Sequence, residues 1–211
     1  MRSESAGIRE RVGGVEANEI LTSTTAALLI AMLALEGITI LFLGQLLSVH
    51  MFVGVALVPP VLLKLGSTGY RFARYYMRTR EYREKGPPHI VLRVLAPLLV
   101  VATFTVLATG IWLLLLGHRS DTVLQVHKIS FIVWGVVFAI HLLAHSPRMA
   151  RSLGAAWRAR RPAPGARVAA ILMVIALAAG AGLGLLALSR ITGWHGGDRG
   201  GGDREGAVTH S

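Results

Sequence analysis

Five stretches of the chain, about 23–43, 49–68, 93–116, 123–145 and 168–189, are apolar over close to the length of a membrane-crossing helix. Hydrocarbon about 30 Å thick needs roughly 20 apolar residues in helix. Within it every backbone N–H and C=O must be satisfied by the chain itself, which restricts single spans of this length to α-helices. The second stretch is the weakest, because Lys64 interrupts it and Pro59-Pro60 should kink it. Proline is tolerated where neighbouring helices satisfy the freed carbonyls, and Lys64 lies close enough to one end to snorkel. The fold expected is therefore all-α, with five spans.

Charge placement gives the orientation. Only 16% of the 211 residues are charged, against roughly 25% in soluble domains. Lys and Arg collect in cytoplasmic loops. With the N-terminus inside, 17 of the 22 basic residues fall on inner segments: three up to Arg11, eight from Lys64 to Arg93, and six from Arg148 to Arg167. Arg119, Lys128, Arg190, Arg199 and Arg204 fall outside. The chain is thus expected in the plasma membrane, N-terminus cytoplasmic and C-terminus external. A net charge of +11 could suggest nucleic acid, but the basic residues flank apolar spans instead of forming one basic face, so no nucleic-acid partner is expected. Residues 1–20 are polar and mixed in charge, unlike a cleavable signal peptide. The absence of cysteine excludes disulfides, thiolate haem ligation, Cys-ligated iron–sulfur clusters and covalent c-type haem attachment.

The chain also repeats itself. Gly37-Ile38-Thr39-Ile40-Leu41-Phe42-Leu43-Gly44 is followed by Leu47-Ser48-Val49-His50, and Gly110-Ile111-Trp112-Leu113-Leu114-Leu115-Leu116-Gly117 by Leu124-Gln125-Val126-His127. Each copy reads as the end of one apolar helix, a turn, and the start of a second helix with a histidine near its beginning. Parallel repeats related by an axis along the bilayer normal are a known way of building membrane proteins. Such a repeat sets two imidazoles at one depth, and two facing imidazoles are what a bis-histidine haem iron requires. His50 and His127 are accordingly the expected ligands of an outer haem.

His127 and His141 are 14 positions apart on the fourth span, about 21 Å of rise and about 40° of rotation in a helix. One face thus offers an imidazole near each membrane surface, and His141 is the expected ligand of an inner haem. The repeat would put its partner at Lys64, and a protonated lysine is not a haem ligand. The remaining inner candidate is His89, after Pro87-Pro88. His145, one turn below His141, and His118, at the outer end of the third span, are competing candidates whose plainer reading is interfacial. His195 and His210 sit in the tail.

Glu36 is the only acid inside a span. Intramembrane carboxylates are expensive and functional by default. It carries two readings, a proton-relay group or a neutral, hydrogen-bonded structural carboxyl. The aromatic and basic run from Gly66 to Pro88 reads as a cytoplasmic collar that fixes topology. The functional reading of its arginines is pairing with anionic lipid or haem propionates. The organisation expected is a cytoplasmic segment 1–22, a four-helix bundle of two repeated hairpins over 23–145, a basic linker 146–167, a fifth span 168–190, and a Gly- and Asp-rich disordered external tail 191–211.

On His50, His127 and His141, with thirteen residues between the last two, the stretch 23–145 resembles the di-haem b-type cytochrome superfamily. That superfamily includes membrane anchors of formate dehydrogenases and hydrogenases and small bacterial four-helix cytochromes b. The resemblance implies a four-helix bundle, non-covalent haem b, two groups in all, and electron exchange between quinones and an external or cytoplasmic redox subunit. Lys64-Leu65-Gly66-Ser67-Thr68-Gly69-Tyr70-Arg71-Phe72-Ala73-Arg74-Tyr75-Tyr76 with Gly86-Pro87-Pro88-His89 also looks like a little-characterised group of small actinobacterial membrane proteins. The chain departs from the cytochrome pattern in having no histidine on its first span, lysine at the second position of span two, and a fifth span. Propionate partners would be Arg119 and Lys128 outside and Arg71, Arg74 and Arg93 inside. An electron-transfer protein or oxidoreductase subunit, with no catalytic residue of its own, is the leading expectation; the alternative is a cofactor-free membrane scaffold.

Overall fold

In the computed structural model, residues 2–76, 90–158 and 166–196 are described, with side chains over 20–70, 72–73, 94–144 and 166–194. The described residues form seven helices: α1 (Arg2–Leu41), α2 (Leu43–Ala56), α3 (Val58–Tyr76), α4 (Ile90–Leu116), α5 (Asp121–Arg158), α6 (Ala166–Leu186) and α7 (Leu188–Gly196). Five segments are long and apolar enough to cross a membrane: Ile20–Leu41, Leu43–Tyr70, Val94–Leu116, Asp121–Ala144 and Ala166–Leu186. Their surfaces carry exposed Leu, Ile, Val and Phe along the whole length, as contact with lipid tails requires.

The second span is α2 and α3 joined at Leu57, which stays helical (φ −69°, ψ −23°). Leu57 N donates to Val53 O at 2.9 Å and Val61 N to Leu57 O at 3.0 Å, so the ladder continues through the joint. Pro59 and Pro60 enter in the first turn of α3. Having no N–H, Pro60 deprives Ala56 O of its usual helical donor. Gly180 of α6 lies against that carbonyl, so close that a Cβ there would collide with it. A Cβ at Gly184 would likewise fall 2.6 Å from the Phe52 ring. The buried face of α6 is Ala169, Ala176, Gly180 and Gly184, the kind of small-residue stripe that lets membrane helices approach closely.

That stripe changes the expected arrangement. Instead of standing outside a bundle of the first four spans, α6 packs on α1, α2 and α3. The α4–α5 pair packs chiefly on itself and meets the rest mainly through α2 and α7. Two expected boundaries also move. α5 runs to Arg158, well into the segment 146–167 read as a linker, where Met149, Ala150, Arg151, Leu153, Ala155 and Ala156 are all good helix formers. The stretch 191–196, read as the start of a disordered tail, is helical in α7. Ile191 is fully buried. Trp194 Nε1 donates to Leu113 O at 3.2 Å and Arg190 Nη1 to Leu115 O at 3.4 Å. These are among the last four carbonyls of α4, which have no partner within their own helix.

Candidate histidine site

The two turns that precede the key histidines are built differently. After α1, Phe42 leaves helical geometry (φ −117°, ψ 36°) and Leu46 does so again (φ −111°, ψ 18°), so regular helix begins at Leu47. His50 therefore sits at the beginning of that helix. After α4, Gly117 takes φ +69°, the left-handed position at which glycine ends helices without steric cost. Ser120 O accepts from Leu124 N at 2.9 Å, and His127 follows on α5.

Both imidazoles are held at Nδ1 by the helix before them. His50 Nδ1 lies 3.0 Å from Glu36 Oε1 and 3.2 Å from Thr39 Oγ1. Thr39 is buried, and its hydroxyl lies 2.7 Å from Glu36 O and 3.3 Å from Glu36 Oε2. His127 Nδ1 lies 3.0 Å from Thr109 Oγ1, and that hydroxyl donates to Thr105 O at 2.7 Å. A hydroxyl has one proton to give. With Thr109 committed to the backbone, Nδ1 of His127 is the donor in their bond. Thr39 likewise gives its proton to Glu36 O, so Nδ1 of His50 is the donor in its bond to Thr39 as well. In a neutral imidazole that tautomer leaves the lone pair on Nε2, the metal-binding arrangement in which the second ring nitrogen is anchored by an outer partner.

The ring centroids lie 6.5 Å apart with planes at 75°, an edge-on arrangement. Two imidazoles binding one ion from opposite sides, each with a metal–nitrogen bond of about 2 Å, would have centroids about 6 Å apart. The observed spacing is close to that value. The side-chain contacts of both rings are made through Nδ1. A bare ion with three or more protein ligands does not fit, because no group of three His, Cys, Asp or Glu side chains able to hold a metal exists among the described residues.

The other expected site residues are not brought to this pair. His141 is half-buried on α5, about 21 Å along that helix from His127. Lys64, at the repeat-related position, donates from Nζ to Thr22 O on α1 at 2.9 Å, close to where the first apolar span begins at Ile20. His89 lies outside the described residues, as do the side chains of Arg71, Arg74, Arg93, His145 and His195. Lys128 is exposed beside His127, and exposed Arg119 pairs through Nε with Asp121 Oδ1 at 2.8 Å. His118 Nδ1 lies 2.9 Å from Leu116 O, which makes it part of the turn.

Thr39, Thr109 and Gly110 are site residues that the reading of histidines alone passes over. The signal was present: Glu36 and Thr109 each immediately precede the glycine that begins a repeat, so both copies keep a polar side chain at one position. The chain matches no known protein family, no curated protein and no solved structure.

Proposed function

We propose that the chain is a membrane-embedded b-type cytochrome in which His50 and His127 hold one haem b iron through Nε2. The observation that carries this reading is the pair itself: two imidazoles 6.5 Å apart between centroids, each with Nδ1 engaged by its own hairpin. The chemistry supplied by a bound haem is one-electron transfer between ferric and ferrous iron. The chain's part is to present two neutral ligands, exclude water and surround the site with apolar helix. Electrons would pass between a quinone and a partner redox subunit, and Lys128 and Arg119 stand nearest in sequence to the site as partners for propionates.

The reading includes the plasma-membrane placement with the N-terminus cytoplasmic, which sets the His50–His127 pair near the outer surface. It also includes an inner haem on His141, for which His89 is the second ligand to test. The two repeated hairpins remain part of the proposal, with α6 packed on the first of them.

The experiment is optical. Protein produced with haem supplementation and purified in detergent should show a Soret band and, on reduction, sharp α-bands, with at least one haem per chain by pyridine haemochrome. Purified, folded protein without haem would leave the cofactor-free scaffold as the function.

A further inference from the structure

Glu36 touches an expected iron ligand, whereas its counterpart in the second hairpin, Thr109, is uncharged. The carboxylate is largely enclosed: 12% of its side chain is exposed, against 21% for His50. It is also held on its far side, where Oε2 lies 3.3 Å from the Thr39 hydroxyl. Gly54 of α2 leaves it room, since a Cβ there would stand 3.4 Å from Oε1. No carboxylate touches His127, whose Nδ1 meets the neutral Thr109 hydroxyl.

From this asymmetry we infer that Glu36 is a positioning residue that makes the two axial imidazoles unequal and holds the haem at a low reduction potential. The inference rests on the bis-histidine reading above. A hydrogen bond from Nδ1–H to a carboxylate draws the proton away from the ring and raises the basicity of the other nitrogen. Bonds to an ionised acceptor are roughly twice as strong as neutral ones, and a low-dielectric surrounding strengthens them further. His50 is then the stronger electron donor to the iron and favours the ferric form. His127, backed by a neutral hydroxyl, acts as an ordinary imidazole. Thr39 completes the device by fixing both the carboxylate and the ring it supports.

The test compares wild type, Glu36→Gln and Thr109→Val by haem content, by redox titration at one pH, and by electron paramagnetic resonance of the ferric state. Gln keeps an acceptor oxygen for Nδ1 but removes the charge. Glu36→Gln should still take up enough haem for its potential to be titrated. At a fixed poise its ferric-to-ferrous ratio should fall roughly ten-fold, which for one electron is a rise of about 59 mV. Thr109→Val should move the potential less. A haem-loaded Glu36→Gln protein at the wild-type potential overturns the inference and leaves the cytochrome reading intact, as does an equal shift in Thr109→Val. Wild-type protein without haem overturns both. Should Glu36→Gln fail to fold, the unmodified protein still decides. A ferric spectrum lying toward that of an imidazole–imidazolate pair supports the inference, and one typical of two neutral imidazoles refutes it.

Discussion

The imidazole of His127 rests against Gly110: a methyl group at that glycine would stand 3.1 Å from Cε1 and 3.6 Å from Nδ1. The glycine is the seat of the ring, one residue beyond the threonine that bonds it. A contact of this length is tighter than ordinary packing, so a side chain here must shift the ring by a few tenths of an ångström relative to Thr109. Gly110→Ala should therefore weaken haem retention about ten-fold, the lower end of what loss of an outer-shell support costs a metal site, and Gly110→Val more. Haem loss to excess apomyoglobin measures it. Wild-type retention in Gly110→Val would show that the ring position does not matter to the site.

A second expectation concerns Gly180, whose Cα lies against Ala56 O at the proline joint. Even Gly180→Ala puts a methyl into a backbone oxygen, and neither helix can yield by turning a side chain. Overpacking costs about 1–3 kcal/mol, and this site should lie at the upper end. Unfolding in mixed detergent would read the loss. A variant as stable as wild type would mean that α6 does not pack on α2 in this way.

Trp134 and Thr103 tie α5 to α4 through an Nε1–H bond of 3.0 Å. Trp134 also stacks on Phe138, with centroids 4.8 Å apart and planes at 9°. Trp134→Phe keeps a ring in the stack but removes the hydrogen bond and part of the indole's packing surface. The bond contributes about 0.6 kcal/mol, the average in membranes, the lost packing adds to that, and the haem spectrum should be unchanged. A large loss of haem would instead place Trp134 at the site.

Topology offers an independent check. A reporter fused after Ser211 should report an external position, and one inserted near Arg80 a cytoplasmic one. The reverse pattern would invert every depth assigned to the histidines.

The helical class and all five spans were legible because twenty-residue apolar runs leave membrane chains little choice. The packing of α6 was not, because hydropathy does not distinguish the Gly180–Gly184 face from any other apolar face. Its meaning depends on the carbonyl that Pro60 frees on another span. The helix at 188–196 was also missed, for it is short and weakly apolar. What holds it is specific: Ile191 is buried, and Arg190 and Trp194 reach the carbonyl end of α4. At the site, the repeat marked His50 and His127 and set Glu36 apart. The threonines that fix the tautomers were hidden among many Thr hydroxyls bonded to their own helices, such as Thr24 and Thr192.

The most direct measurement is the haem spectrum of His50→Ala beside that of His127→Ala. If the two imidazoles ligate one iron, either substitution removes the same low-spin haem, and each leaves any signal from His141 in place. The account is contradicted if one of the two variants keeps that haem at full low-spin intensity while the other abolishes it.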